Sequence, residues 1–214
     1  MDAKLSKDEV RETYRKFAAT YDMWGSPMES RARQRCLEVA AIKDGESILE
    51  VAVGTGLLFE KILQINPNGR NEGIDLTEAM LNRAKTRAVK SGLSNYMLRT
   101  GDAYHLQYPD DSFDVVVNNY MFDLIPEHDF AVILGEFKRV LHSGGRIILV
   151  NMTRGSDWFN ALWDWLYRLR PSLLGGCRGV ELKPSLEKLG FEKVQREYIS
   201  QFFFPSEVVY GVKP

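Results

Sequence analysis

Apolar residues in this chain fall into short runs that alternate with segments of helical spacing. The run Phe113–Asn119 is apolar almost throughout, which is typical of a strand buried on both faces. Runs of this kind, bounded by turn residues, predict strands at Ser47–Val53, Asn71–Leu76, Tyr96–Thr100, Phe113–Asn119, Arg146–Asn151, Phe191–Ser200 and Ser206–Val212. Helical spacing predicts helices at Asp8–Ala19, Pro27–Ala41, Gly56–Ile65, Thr77–Lys90, Asp129–Leu141, Asp157–Leu169 and Pro184–Leu189.

The order of these elements predicts the fold class. Alternating strands and helices indicate an α/β protein with a parallel sheet and helices on both faces. The last two strands are joined only by Gln201–Pro205, and so short a link predicts an antiparallel hairpin at one edge of the sheet. We expect one domain over 1–214, in which 1–45 form a helical N-terminal extension and 154–183 a helical, lid-like insertion.

Composition and charge exclude several classes of protein. The chain has 214 residues and a formal net charge of −1, so no long-range field recruits nucleic acid. No apolar stretch is long enough to span a membrane, and the charged N-terminus does not resemble a signal peptide. Two cysteines are too few for a disulfide framework, which favours a cytoplasmic protein. The three histidines and two cysteines have no metal-ligand spacing, so we expect no metal site.

A glycine-rich turn follows the first predicted strand and leads directly into a helix. Gly54 and Gly56 allow backbone N–H groups to approach a ligand, as in nucleotide-like cofactor sites. A dinucleotide-binding turn requires a small residue at the position that Phe59 occupies, so NAD is disfavoured. The alternative is the acidic-x-Gly-x-Gly-x-Gly turn that binds S-adenosylmethionine, which Glu50 fits and in which Ala52 replaces the first glycine.

Acidic and amide residues follow the later predicted strands. Asp75 ends the second strand, where a carboxylate can accept hydrogen bonds from both ribose hydroxyls. Asp102 follows the third strand, where it can receive an adenine amino group, and Asn118 lies at the end of the fourth. Ligands of open α/β sheets bind at the carboxyl ends of the strands, so we expect these residues on one rim.

Together these segments resemble class I S-adenosylmethionine-dependent methyltransferases. The resemblance rests on Leu49–Gly56, Gly73–Leu81, Gly101–Ala103, Ser112–Val117 and Arg139–Gly145. Within that class the chain is similar to the ubiquinone/menaquinone-biosynthesis C-methyltransferases and to bacterial phosphatidylethanolamine N-methyltransferases, whose helical entry segment resembles Phe17–Asp22. The resemblance implies a Rossmann-like, seven-stranded, mostly parallel sheet with an antiparallel last strand.

The resemblance also implies a cofactor site. Tyrosines in the N-terminal helical segment of these families help to close over the methionine end of the cofactor, and ordinary packing is the alternative for them here. The residues expected to contact S-adenosylmethionine are Tyr14, Tyr21, Glu50, Ala52, Gly54, Gly56, Asp75, Leu76, Met80, Asp102, Ala103 and Asn118.

The acceptor side of the site has its own candidate residues. Tyr120 and Asp123 follow the fourth strand and are the candidate catalytic residues, although Asp123 can equally cap the loop before Pro126. The residues expected to contact the substrate are Trp24, Tyr120, Trp158 and Trp163. The tryptophan-rich helix is apolar on most sides, which fits a lid, a dimer contact, a wall of an apolar pocket or a patch on a membrane surface.

We therefore expect an enzyme that transfers a methyl group from S-adenosylmethionine to a small hydrophobic or lipid-like acceptor. The acceptor is either an aminophospholipid headgroup or the ring carbon of a quinone-type molecule. The alternative is a non-catalytic module that binds the cofactor without turnover.

Overall fold

The computed structural model of the chain describes residues 9, 12, 21–154, 177–202 and 204–214, without the side chains of 21–27. The predicted helix Asp157–Leu169 and most of Asp8–Ala19 lie outside these residues. The strands are β1 (Ser47–Val51), β2 (Arg70–Asp75), β3 (Tyr96–Thr100), β4 (Phe113–Asn119), β5 (Leu141–Met152), β6 (Glu192–Gln201) and β7 (Phe204–Val212). The α-helices are α1 (Tyr21–Ala40), α2 (Leu57–Ile65), α3 (Glu78–Lys90), α4 (Phe130–Val140) and α5 (Lys183–Lys188).

The strands form one seven-stranded sheet in the order β3-β2-β1-β4-β5-β7-β6. Neighbouring strands from β3 to β5 are parallel, whereas β7 is antiparallel to both β5 and β6. This arrangement confirms the predicted Rossmann-like, mostly parallel sheet with its antiparallel last strand. It also places the carboxyl ends of β1, β2, β3 and β4 on one rim.

Both faces of the sheet are covered, as the apolar run in β4 predicted. Val115 and Val117 point into a cluster with α1 and α2, and Val116 points into the opposite cluster with α4. All three side chains are fully buried. Alternating residues of the strand therefore serve two cores, which is why nearly every position in it is apolar.

Two predicted boundaries were wrong by more than two residues. Helix α1 begins at Tyr21 and not at Pro27. Proline is most common in the first turn of a helix, which is why the prediction began there, but Pro27 lies inside this helix. Strand β5 begins at Leu141, which pairs with Phe113, and not at Arg146. A register shift between Phe113 and Val115 accommodates the glycines that had indicated a turn there.

Within the described residues, no helix is long and apolar enough to cross a membrane.

Gly56 ends the turn after β1 and fixes how closely α2 approaches α3. Its φ of 82° lies in the left-handed region, and it stands at the N-cap of α2. A Cβ atom at this position would lie 2.9 Å from the Cα atom of Ala84 in α3. The residue is therefore required both by the turn and by the packing of the two helices.

Gly56→Ala should lower the free energy of unfolding by about 2–4 kcal/mol, since it combines left-handed strain with a backbone clash. Gly135→Ala is the matched control: Gly135 lies within α4, and a Cβ there meets no atom within 4 Å. The control should raise the free energy of unfolding by about 0.5–1 kcal/mol through helix propensity. Urea unfolding measures both, and equal effects of the two substitutions would contradict this account of Gly56.

Candidate active site

A cavity of about 290 Å³ lies at the carboxyl rim of the sheet, next to helix α1. It is lined by residues that follow β1, β2, β3 and β4, and by Glu29 and Arg33 of α1. Among the residues expected from the sequence, those that line it are Glu50, Ala52, Gly54, Asp75, Leu76, Met80, Asp102, Ala103 and Tyr120. The strand order thus collects residues that are up to 70 positions apart in the chain.

Asp75 ties together two turns of the cavity wall. Its Oδ2 accepts a hydrogen bond from the Gly54 N–H at 2.9 Å, and its Oδ1 accepts one from the Thr77 N–H at 2.8 Å. Burial raises the pKa of this carboxyl, and the two N–H donors oppose the rise. Each carboxylate oxygen has a second lone pair that can accept from a ligand hydroxyl.

Glu50 is the most deeply buried carboxyl of the cavity wall. The residue is 2% exposed, and its Oε2 has no hydrogen-bond partner among the described residues. Burial raises its pKa well above the ordinary value, and the Arg33 charge opposes that rise. An unpartnered buried acceptor is costly, so this position is suited to a ligand that brings an N–H donor or a positive charge.

The turn after β1 contains residues with a left-handed backbone conformation. Ala52 has a φ of 58° and Gly54 one of 55°, both in the left-handed region. Glycine adopts this region more easily than alanine does. Ala52 replaces the first glycine of the acidic-x-Gly-x-Gly-x-Gly pattern, so its backbone is strained at this position. Gly56 is not among the cavity-lining residues. Its close packing against Ala84 explains why a glycine is required at this position.

Phe59 occupies space that a glycine in β2 leaves open. A Cβ atom on Gly73 would lie 2.6 Å from Leu98 and 3.3 Å from the Phe59 ring. The phenyl ring is fully buried and packs edge to face on Tyr96 at a centroid distance of 6.2 Å. The large residue that disfavoured a dinucleotide site is therefore part of the core between α2, α3 and β3.

The loop after β3 forms one end of the cavity. Asp102 accepts a hydrogen bond from the Tyr104 N–H at 3.1 Å. The Tyr104 hydroxyl donates to Asp129 Oδ2 at 2.7 Å, and all three residues line the cavity. This bond joins the loop to the residue that precedes α4.

At the end of β4, the residue that lines the cavity is Asn119 and not Asn118. The Asn118 amide is fully buried and donates to the Val51 carbonyl at 2.8 Å, which supports the strand pair beneath the turn. Asn119 lines the cavity, and neither polar atom of its amide has a nitrogen or oxygen partner among the described residues. The thiol of Cys36 lies beside it.

Tyr120 forms part of the wall with its hydroxyl already engaged. The hydroxyl shares a 2.8 Å hydrogen bond with Ser206, and burial raises the pKa of the phenol well above its ordinary value. Its φ of 52° turns the chain sharply after β4. The side chain packs in the core cluster with α1, so the geometry favours a structural role over proton transfer.

Asp123 does not line the cavity. It is fully buried in a short turn behind the cavity-lining residues Leu124 and Ile125. Neither carboxyl oxygen has a hydrogen-bond partner of suitable geometry among the described residues. Burial raises its pKa to about 7, although the Cys177 thiol and the Arg178 charge oppose that rise.

Arg178 holds the same turn from behind. Its guanidinium donates to the carbonyl of Ile125 at 2.5 Å and to that of Phe122 at 3.4 Å. Its own N–H donates to the Asp123 carbonyl at 3.2 Å. The residue is 1% exposed, so Arg178, which lies within the predicted insertion 154–183, supports one wall of the cavity.

Several expected residues lie outside what the structure describes. Tyr14, Trp158 and Trp163 fall outside the described ranges, and the side chains of Tyr21 and Trp24 are not described. Sequence reasoning missed Glu29, Arg33 and Asp129 in the cavity wall, and it chose Asn118 where its neighbour Asn119 lines the cavity. The spacing of Glu29, Arg33 and Cys36 along one helix face was the available signal.

Asp123→Asn should flatten the dependence of stability on pH. The folded state retains a proton that the unfolded chain releases near pH 4, so the stability contributed by Asp123 is full below pH 4 and is lost as pH rises through about 7. Relative to the wild type, the variant should gain up to about 4 kcal/mol between pH 4 and pH 8. Urea unfolding over this range measures the gain, and parallel profiles would disprove the assignment.

The sequence and the fold match those of known methyltransferases. Residues 42–173 match the methyltransferase domain family. The ubiquinone/menaquinone biosynthesis C-methyltransferase of Saccharophagus degradans is 28% identical, over 78% of this chain and 68% of its own length. The phosphatidylethanolamine N-methyltransferase of Cereibacter sphaeroides is 34% identical, over 69% of this chain and 70% of its own length.

A solved structure has a similar fold. The N-methyltransferase NodS from Bradyrhizobium japonicum, solved in complex with S-adenosyl-L-homocysteine, superimposes with a TM-score of 0.76. The match covers 96% of this chain and 98% of NodS at 15% identity, so it supports the fold. The family match covers more than half of the chain, and the cavity lies at the rim where the family motifs meet. The chain belongs to the methyltransferase domain family and is a class I methyltransferase that uses S-adenosylmethionine.

Proposed function

We propose that this enzyme transfers the methyl group to a small lipid-like acceptor, and that the acceptor atom is the amine of an aminophospholipid headgroup. The observation that carries the proposal is the mixed lining of the cavity. The charged part of the lining is a set of carboxyl groups, contributed by Glu29, Glu50, Asp75, Asp102 and Asp129. The apolar part of the lining includes Leu57, Leu58, Met121, Leu124, Ile125 and Pro126.

The charged part supports a specific placement of the cofactor. Asp75 would accept hydrogen bonds from the ribose hydroxyls through the lone pairs that Gly54 and Thr77 leave open. Asp102 would receive the adenine amino group. The unpartnered oxygen of Glu50 would accept from the ammonium of the methionine end, which would favour the ionised carboxylate.

The headgroup ammonium would have to lose one proton before its nitrogen could attack the methyl carbon. That proton can leave to solvent before the acceptor is enclosed, so little further acid–base chemistry is required of the protein. The sulfonium supplies an electrophilic methyl group when the cofactor is bound, and the residues of the chain align the acceptor and exclude water. Alignment alone can account for a barrier reduction on the order of 7–11 kcal/mol. We assign Tyr120 and Asp123 to positioning, because the Tyr120 hydroxyl is bound to Ser206 and Asp123 lies behind the wall.

The charge of the cavity supports the amine as the acceptor. Among the described lining residues, carboxyl groups outnumber positively charged side chains, and apolar residues lie among them. Such a cavity would attract a cationic headgroup and hold part of its lipid chain. The N-methyltransferase relative, with 34% identity, supports the same acceptor.

A quinone-type ring carbon is the second candidate acceptor. The C-methyltransferase relative matches a larger share of this chain, at 78%. The apolar wall would also suit a quinone ring and its isoprenoid tail.

Incubation with methyl-labelled S-adenosylmethionine tests both acceptors. We expect labelled product from vesicles that contain phosphatidylethanolamine, and none from vesicles of phosphatidylcholine, whose headgroup is already fully methylated. A quinone that lacks its ring methyl group is the parallel substrate, and labelling of it alone would replace the amine proposal with the ring-carbon one. Binding of S-adenosylhomocysteine without transfer to either acceptor would contradict the lipid-like acceptor.

A further inference from the structure

Helix α1 places one ion pair in the cavity wall. Arg33 Nη1 donates to Glu29 Oε2 at 2.6 Å, and the two residues are one helical turn apart. Their side chains are only 12% and 9% exposed, and both line the cavity. They precede residues 42–173, which the family match covers.

The ion pair lies beside the ends of β1 and β4. The positive charge of Arg33 opposes the rise that burial causes in the pKa of Glu50, the carboxyl that has one unpartnered oxygen. Glu29 and Arg33 also act with opposite sign on the Tyr120 hydroxyl. One turn further along the same helix face, Cys36 lies against Asn119. The face of α1 that carries Glu29, Arg33 and Cys36 therefore borders the Glu50 side of the cavity.

The charges of the cavity are strongly unequal. Among the described lining residues, Arg33 is the single positively charged side chain, and the carboxyls are Glu29, Glu50, Asp75, Asp102 and Asp129. S-adenosylmethionine carries a sulfonium, an ammonium and one carboxylate. A site of this composition offers acceptors for both cations of the ligand and one donor for its single anion. A guanidinium is also the side chain whose planar geometry best matches a carboxylate.

We propose that Arg33, oriented by Glu29, binds the carboxylate at the methionine end of S-adenosylmethionine. This inference rests on the proposed cofactor placement and adds to it a residue from helix α1. Glu29 compensates the buried guanidinium before the ligand arrives, since an unpaired charge there would be costly. Ligand binding would then join α1 to the turn after β1 through the methionine end of the cofactor.

Calorimetry with two ligands tests the assignment. S-adenosylhomocysteine has the amino-acid end, whereas 5′-methylthioadenosine has the same adenosine and thioether without it. Arg33→Met should weaken S-adenosylhomocysteine binding at least tenfold and change 5′-methylthioadenosine binding less than twofold. Arg33→Lys keeps the charge without the planar fork and should give an intermediate loss for S-adenosylhomocysteine alone.

Arg31→Met is the matched control, because Arg31 is exposed on the same helix and loses the same charge. It should leave the affinity for both ligands unchanged. Equal losses for the two ligands in Arg33→Met and Arg33→Lys would overturn the proposal, because Arg33 would then act on the cavity as a whole. An unchanged affinity for S-adenosylhomocysteine in both variants would overturn it as well. If the wild type bound neither ligand, the proposed cofactor placement itself would fail.

Discussion

The site depends on the carboxylate of Asp75, which holds two turns of the chain at once. It accepts hydrogen bonds from the N–H groups of Gly54 and Thr77, at 2.9 and 2.8 Å. The first bond fixes the glycine-rich turn between β1 and α2, and the second fixes the start of α3. Because hydrogen bonds to an ionised group are stronger than neutral ones, this carboxylate can maintain the cavity although its burial is unfavourable.

Other buried polar groups around the cavity also have an unfavourable burial energy, and their hydrogen bonds are incomplete. Glu50 and Asn119 have polar atoms without a nitrogen or oxygen partner among the described residues. Such groups reduce stability, and a ligand that pairs with them recovers part of that loss on binding. Asp123 differs, since its unpartnered oxygens lie behind the wall and beside Arg178. The burial of Asp123 therefore lowers the stability of the fold without affecting ligand binding. For this reason its titration should change the free energy of unfolding.

The sequence predicted the sheet because apolar runs such as Phe113–Asn119 require burial on both faces, and the structure confirms it. It predicted the carboxylates of the rim because they follow strands that the topology brings together. It could not separate Asn118 from Asn119, since both end β4 and only the pleat decides which faces the cavity. It also missed Glu29 and Arg33. An ion pair one helical turn apart has the same sequence pattern whether it faces a cavity or lies on an exposed helix face.

The most direct test of the central claim is the affinity of Asp75→Ala for S-adenosylhomocysteine, measured by calorimetry together with urea unfolding. The account predicts a loss of about 1–3 kcal/mol in binding, since the ribose hydroxyls would lose their acceptors in a desolvated site. Asp114→Ala is the matched control: that carboxylate accepts from the Ser47 N–H at the opposite end of β1, so the variant should bind normally. An Asp75→Ala variant that stays folded and binds with unchanged affinity would contradict the account.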